Sequence, residues 1–238
     1  MRRCQTPRAL LLLVLLALLG AGCVGVQGSG KVVDEEVRVG AFQRIHVGSA
    51  FRVQVSVGER DGLVLHVDDN VRDRVAYGVT GDTLELGLKP NTTVRNATLR
   101  ADVFVRSLRE VQAAGASEVQ LDLGPTSEDL TLGVSGASRV RGRASARTMR
   151  ADASGASKLD LAGKAASLSL RASGASQLGL EGLQVERLDA ELSGASTATV
   201  SVSGTISADV SGASTLRYKG MARLERQQTS GSSSIEPA

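Results

Sequence analysis

The stretch Ser154-Gly155-Ala156-Ser157-Lys158-Leu159-Asp160-Leu161, continued by Leu168-Ser169-Leu170-Arg171-Ala172 and a new Ser173-Gly174-Ala175-Ser176, decides the fold. The same tetrapeptide starts at Ser135, Ser193 and Ser211, with a near copy at Ala114 to Ser117 and a fading one at Ser230 to Ser233. A motif that returns every 18 to 21 residues marks one small unit copied and stacked. Around each central Gly the apolar residues fall at even offsets: Leu168, Leu170 and Ala172 before Gly174, Leu178 and Leu180 after it. That is the period of two short strands facing one interior, joined at a corner of Gly, Ala and Ser. A third short connection closes the loop. At roughly 3.3 Å per residue such a unit circles once and returns one strand spacing, about 4.8 Å, above its start. The expected fold is all-β: a single-stranded parallel β-helix, or solenoid, with coils of about 19 residues.

In-register stacking can be read from the outward residues. Three places before the central Gly stand Asp152, Arg171 and Glu191, alternating in sign, and Glu118 aligns with Arg139, Arg141 with Asp160, Asp122 with Arg143. Arg139 beside Lys158 breaks the pattern. The five arginines from Arg139 to Arg150 therefore read as rungs of charge ladders in preference to a polyanion site. Upstream, Val37, Val39, Ile45, Val47, Phe51, Val53, Val55, Val57, Leu63, Leu65 and Val67 alternate with polar residues, as half-buried strands do. No segment carries a helical stripe.

The N-terminus is built like a secretory signal: Arg2, Arg3 and Arg8 precede an apolar run from Ala9 to Leu19, too short to span a bilayer, and Gly20-Ala21-Gly22-Cys23 follows. A Cys directly after small residues resembles a bacterial lipoprotein signal, in which the Cys23 thiol is acylated and anchors the chain. Ordinary secretory cleavage nearby is the alternative. The organisation expected is a signal peptide over 1–22, lipid attachment and a flexible tether over 23–35, and a β-helix domain over 36–238, with strands over 36–107 and Ser-Gly-Ala-Ser coils over 108–238. Residues 1–22 hold three of the 28 basic residues and no acid, so 25 basic residues face 25 acidic ones after cleavage. That balance leaves no excess field for nucleic acid.

The layout of Phe42-Gln43-Arg44-Ile45-His46-Val47, Phe51-Arg52-Val53-Gln54-Val55, Gly81-Asp82-Thr83-Leu84-Glu85-Leu86, the Leu108 to Ser117 segment and the coils that follow is distinctive in combination. From Phe42 to its end the chain resembles, through these segments, the GIN domain, the head domain named for auto-transporter adhesins. The resemblance implies a right-handed β-helix in a bacterial cell envelope and brings no catalytic residues with it; with its lipid anchor the protein is expected at the outer membrane.

The chemical inventory points away from catalysis. His46 and His66 are the only histidines, each in an alternating strand, and read as half-exposed strand residues. Seven similar corners are geometry, since an active site needs one, and the serines do not form a Gly-x-Ser-x-Gly elbow. No cofactor or metal is expected, and lipidation at Cys23 is the one site residue. Without Trp, and with few other aromatic side chains, binding would run through flat polar faces. The favoured reading is a lipid-anchored envelope protein, not an enzyme, whose rigid surface meets an envelope or surface protein or a polysaccharide. Two other readings stay open: a polysaccharide-acting β-helix enzyme, disfavoured because no repeat carries an insertion to wall a cleft, and a purely structural or assembly protein.

Overall fold

A computed structural model describes residues 25–125 and 129–238. Cys23 and the signal segment lie outside the described residues. The N-terminal part runs through β1 (Val26–Gln27), β2 (Val32–Val37), β3 (Arg44–Val47), β4 (Arg52–Val57), β5 (Gly62–Asp68), β6 (Val75–Thr80), β7 (Thr83–Leu88), β8 (Val94–Arg95) and β9 (Leu99–Val105). The coils follow as β10 (Glu110–Ala113), β11 (Glu118–Pro125), β12 (Leu130–Val134), β13 (Arg139–Ala153), β14 (Lys158–Ala172), β15 (Gln177–Leu192), β16 (Thr197–Val210), β17 (Thr215–Lys219), β18 (Arg223–Thr229) and β19 (Ser234–Pro237). A single 3-10 turn, Arg72–Arg74, is the one helical element among the described residues.

From β10 onward every pairing is parallel, and residues lie over their counterparts one coil away except at bulges such as those after Asp160, Leu180 and Val185. The chain is thus a β-solenoid. The register is the one the charges foretold: Asp152 faces Arg171, Arg171 faces Glu191, Glu118 faces Arg139, Arg141 faces Asp160 and Asp122 faces Arg143. The even-offset apolar residues fill the interior, with Leu168, Leu170, Leu178 and Leu180 all buried.

The connection read as a short closing loop is a third inward-facing wall. The rungs Ala146–Ala165, Ala165–Val185 and Val185–Val202 are paired, and Ala144, Leu183 and these four residues are buried. Alanine at these places hides the strand signal, because Ala is apolar without β preference. Strands β13 to β16 consequently run unbroken round all three walls of each coil, from one Ser-Gly-Ala-Ser corner to the next.

A parallel solenoid has an apolar end to close, and here antiparallel strands close it. The strands β7 and β9 stack in parallel on β3 and β4 as one more coil. Beyond them the direction reverses: β6 pairs with β7, β5 with β9 and β2 with β5, all antiparallel. Large side chains gather there, Phe42, Phe51, Leu63, Leu65 and Leu84 being buried.

The expected tether is a strap from Gly25 onward. The Val26 N–H donates to the Thr93 carbonyl at 2.8 Å and the Gly28 N–H to that of Arg95 at 2.9 Å, which sets β1 parallel to β8. Ser29 Oγ donates to Asp69 at 2.6 Å, and Asn70 Nδ2 to the Gln27 carbonyl at 2.8 Å. Strand β2 starts at Val32, inside the span read as flexible. The small residues serve close approach instead of motion: a Cβ on Gly28 would lie 2.7 Å from the Asn96 carbonyl oxygen.

Candidate functional site

The two serines of each tetrapeptide have opposite fates. The second, at Ser117, Ser138, Ser157, Ser176, Ser196 and Ser214, faces the interior and is at most 1% exposed. Its hydroxyl is satisfied internally: Ser176 Oγ donates to the Ser173 carbonyl at 2.8 Å, Ser196 Oγ to that of Ser193 at 3.0 Å, and Ser157 and Ser176 hydroxyls lie 3.3 Å apart. A buried, internally hydrogen-bonded hydroxyl ladder is not presented to a ligand. The ladder is a structural polar seam.

The first serine of each corner lines a trough that runs along the solenoid axis. Its wall is the row of Ser135, Ser154, Ser173, Ser193 and Ser211, and its other side is the charge row Asp152, Arg171, Glu191, Asp209. The trough encloses about 650 Å³. Gly133 interrupts the charge row between Gln112 and Asp152 and so opens the floor at that level. A shallower depression bounded by His46, Tyr77, Glu85 and Gly87 continues it toward the N-terminal cap, sharing Gln112 and Ala114. The rows repeat at one coil spacing, about 4.8 Å, so they present a periodic lattice of hydroxyls and charges.

The trough is nearly neutral because each acid has a guanidinium. Arg171 Nε sits 2.9 Å from Glu191, Arg150 Nε 2.7 Å from Asp152, and Arg226 3.8 Å from Asp209. The Glu191 carboxylate, chiefly by hydrogen bonding, holds the Arg171 guanidinium above its ordinary pKa. Register and partner choice are separate matters, since Asp152 lies over Arg171 yet is bonded by Arg150 two residues before it on its own strand. The arginine run shares the expected register but chooses other partners: Arg141 is 3.1 Å from Glu118, Arg147 is 3.2 Å from Asp129, and Asp160, which lies over Arg141, is bridged instead by Lys158 at 3.5 Å. These exposed pairs fix direction more than stability, at about 0–1 kcal/mol each.

The histidines are more engaged than the sequence shows, and each stands between carboxylates of adjacent strands. His66 Nδ1 is 2.7 Å from Asp34 on β2 and Nε2 is 3.2 Å from Asp102 on β9. The Asp34 hydrogen bond, followed by burial acting the other way and then Asp102, leaves the imidazole pKa above its ordinary value. His46 Nδ1 is 3.0 Å from Glu85, and its Nε2 lies 3.5 Å from Glu110. Alternation alone could not reveal these pairs, because they depend on which strands become neighbours across a reversal of direction. Among the described residues no group of three or more His, Cys, Asp and Glu could hold a metal ion, and no helix is long and apolar enough to cross a membrane.

A β-solenoid with a polar axial trough defines a class of repeat modules by its architecture, and the family follows from the comparisons. Residues 41–222 match the family described as "Putative auto-transporter adhesin, head GIN domain", and the chain belongs to that family. A "putative adhesin" from Bacteroides fragilis shares the fold with a TM-score of 0.85 at 21% identity, over 90% of this chain and 100% of that one. A "putative lipid binding protein" from Parabacteroides distasonis gives 0.69 at 16% identity, over 90% and 99% of the two chains. A "putative adhesin" from Parabacteroides merdae gives 0.68 at 17%, again over 90% and 99%. No curated protein matches the sequence. Family membership points to an adhesin-like role at the cell envelope or surface.

Proposed function

We propose that the protein is a non-catalytic envelope lipoprotein, held by acylated Cys23, whose solenoid offers its axial trough to an extended surface protein or polysaccharide. The observation that carries this reading is the trough itself: hydroxyls and paired charges repeated along the axis, with the inner serines buried and hydrogen-bonded inside the fold. Such a lattice suits a linear partner with its own repeat, bound by many weak polar contacts. No aromatic platform and no poised acid–base pair is needed for that task.

The test has two arms. Filling the trough with Ser173→Gln and Ser193→Gln should reduce co-sedimentation of the full chain with isolated cell envelopes by tenfold or more, with the thermal midpoint unchanged. Retained binding by the folded double variant would remove the trough from the proposal. Separately, Cys23→Ala should move the protein from the membrane fraction to the soluble one. A variant that still pellets after a salt wash would show that acylation at Cys23 is not the anchor.

A further inference from the structure

We propose that β6 is a docking edge for a second copy of this chain, the two β6 strands pairing antiparallel about a two-fold axis at Tyr77. Among the described strands several carry a ladder on one side only, and most of those edges are protected against pairing. Strand β2 presents Asp34, Glu35 and Glu36, β18 presents Arg223, Glu225 and Arg226, and β19 ends in Glu236-Pro237. Charges and proline are the usual guards of an edge. Strand β6 has neither. Its sequence Val75-Ala76-Tyr77-Gly78-Val79-Thr80 is uncharged and rich in residues that favour strands, and it is bonded only to β7.

The backbone of β6 is oriented for the task. The two-residue turn Gly81-Asp82, with Gly81 at φ +64°, makes Thr80 and Thr83 the hydrogen-bonded closing pair of the hairpin. Hydrogen-bonding direction alternates along a strand, so the groups of Val75, Tyr77 and Val79 point away from β7 to the open edge. The Val75 N–H is already used by the Arg72 carbonyl. A two-fold pair centred on Tyr77 uses what is left: each Tyr77 N–H meets the other Tyr77 carbonyl, and each Val79 N–H meets the second copy's Val75 carbonyl.

Side chains and flanking charges select this occupant and this direction. Centring on Tyr77 sets Val75 opposite the second copy's Val79 and Ala76 opposite its Gly78, so apolar meets apolar and small meets small. Tyr77 is 41% exposed although it lies over Leu86 on the inward side of the hairpin. Arg74 precedes the strand and Asp82 follows it. Antiparallel pairing brings each Arg74 toward the acidic turn of the other copy, whereas a parallel pair would align like charges. A six-residue edge buries less than the roughly 1,200 Å² of a stable interface, so the pair is weak in dilute solution and is best trapped covalently.

Photo-crosslinking tests this on the full chain in cells. With benzoylphenylalanine in place of Tyr77, illumination should give a covalent dimer whose crosslink maps to residues 75–79 of the second copy. Gly78→Lys should lower the crosslinked fraction at least tenfold while leaving the melting temperature unchanged, since a Cβ at Gly78 meets no atom within 4 Å. Should Gly78→Lys melt early, Ala76→Lys, on the same face, repeats the measurement. Absence of a dimer, crosslinks outside β6, crosslinks solely to a different protein, or a dimer that survives the lysine in a stably folded chain would each overturn self-pairing.

Discussion

At the residue scale, the corner motif divides its work between backbone and hydroxyl. All the corner glycines adopt left-handed backbone, Gly174 with φ +74°. Gly174 is under a second constraint, because a Cβ there would stand 2.5 Å from the Gly155 carbonyl oxygen of the coil below, the group that accepts the Ala175 N–H at 2.8 Å. Gly174→Val should therefore destabilise by about 1–3 kcal/mol or more through strain and through opening of the stack. Ser176→Ala should cost about 1 kcal/mol, the net worth of one buried hydrogen bond, because its hydroxyl serves the Ser173 carbonyl. Equilibrium denaturation that ranked Ser176→Ala at or above Gly174→Val would reverse the assignment of roles. The glycine requirement was legible in the sequence. The buried hydroxyl was legible in principle too, since counting back by two from Leu180 and Leu178 arrives at Ser176, but a polar residue at an inward place is easily assigned to the surface.

At the element scale, the solenoid strands announced themselves through repetition, and the cap strands through alternation without their partners. A repeat fixes register because each coil must lie on its copy. The reversal at β5, β6 and β2 has no copy to betray it, and its ion pairs join residues such as Asp34 and Asp102 that only the reversal brings to the same imidazole. That His66 site makes the cap pH-sensitive. Its folded pKa lies above its ordinary value, so protonation favours the folded state. The contribution is complete below the unfolded value near pH 6.5 and is lost as pH rises through the folded one. The groups facing the imidazole are Asp34 on β2, Asp102 on β9 and, opposite it in register, Arg100. Amide exchange of β2 should accelerate relative to β14 between pH 6 and 8, and His66→Gln should abolish that difference in slope. An unchanged ratio across this range in the wild-type chain would show that His66 does not pin the strand.

At the scale of the whole molecule, stability is distributed along one axis, and each coil answers only to its neighbours. Excising one complete coil should then leave a shorter protein with the same fold. Removal of Ser173 to Leu192, 20 residues, joins Ala172 directly to Ser193-Gly194-Ala195-Ser196 and keeps the corner intact. The new contacts on the wall before the corner are acceptable: Leu168, Leu170 and Ala172 would lie on Ile206, Ala208 and Val210, as Leu188, Ala190 and Leu192 do now. On the outside Arg171, parted from Glu191, would face Asp209, again an opposite charge. Removing half a coil, Gln177 to Val185, is the contrasting case, because one wall of the next coil would be left without a partner and its inward residues without a core. The expected result is a cooperative melt and retained β-sheet circular dichroism for the whole-coil deletion, with a lower midpoint than wild type, against loss of cooperative unfolding for the half-coil deletion. If both deletions unfolded the chain, cooperativity would have to extend across the entire solenoid, and the neighbour-by-neighbour account of its stability would fail.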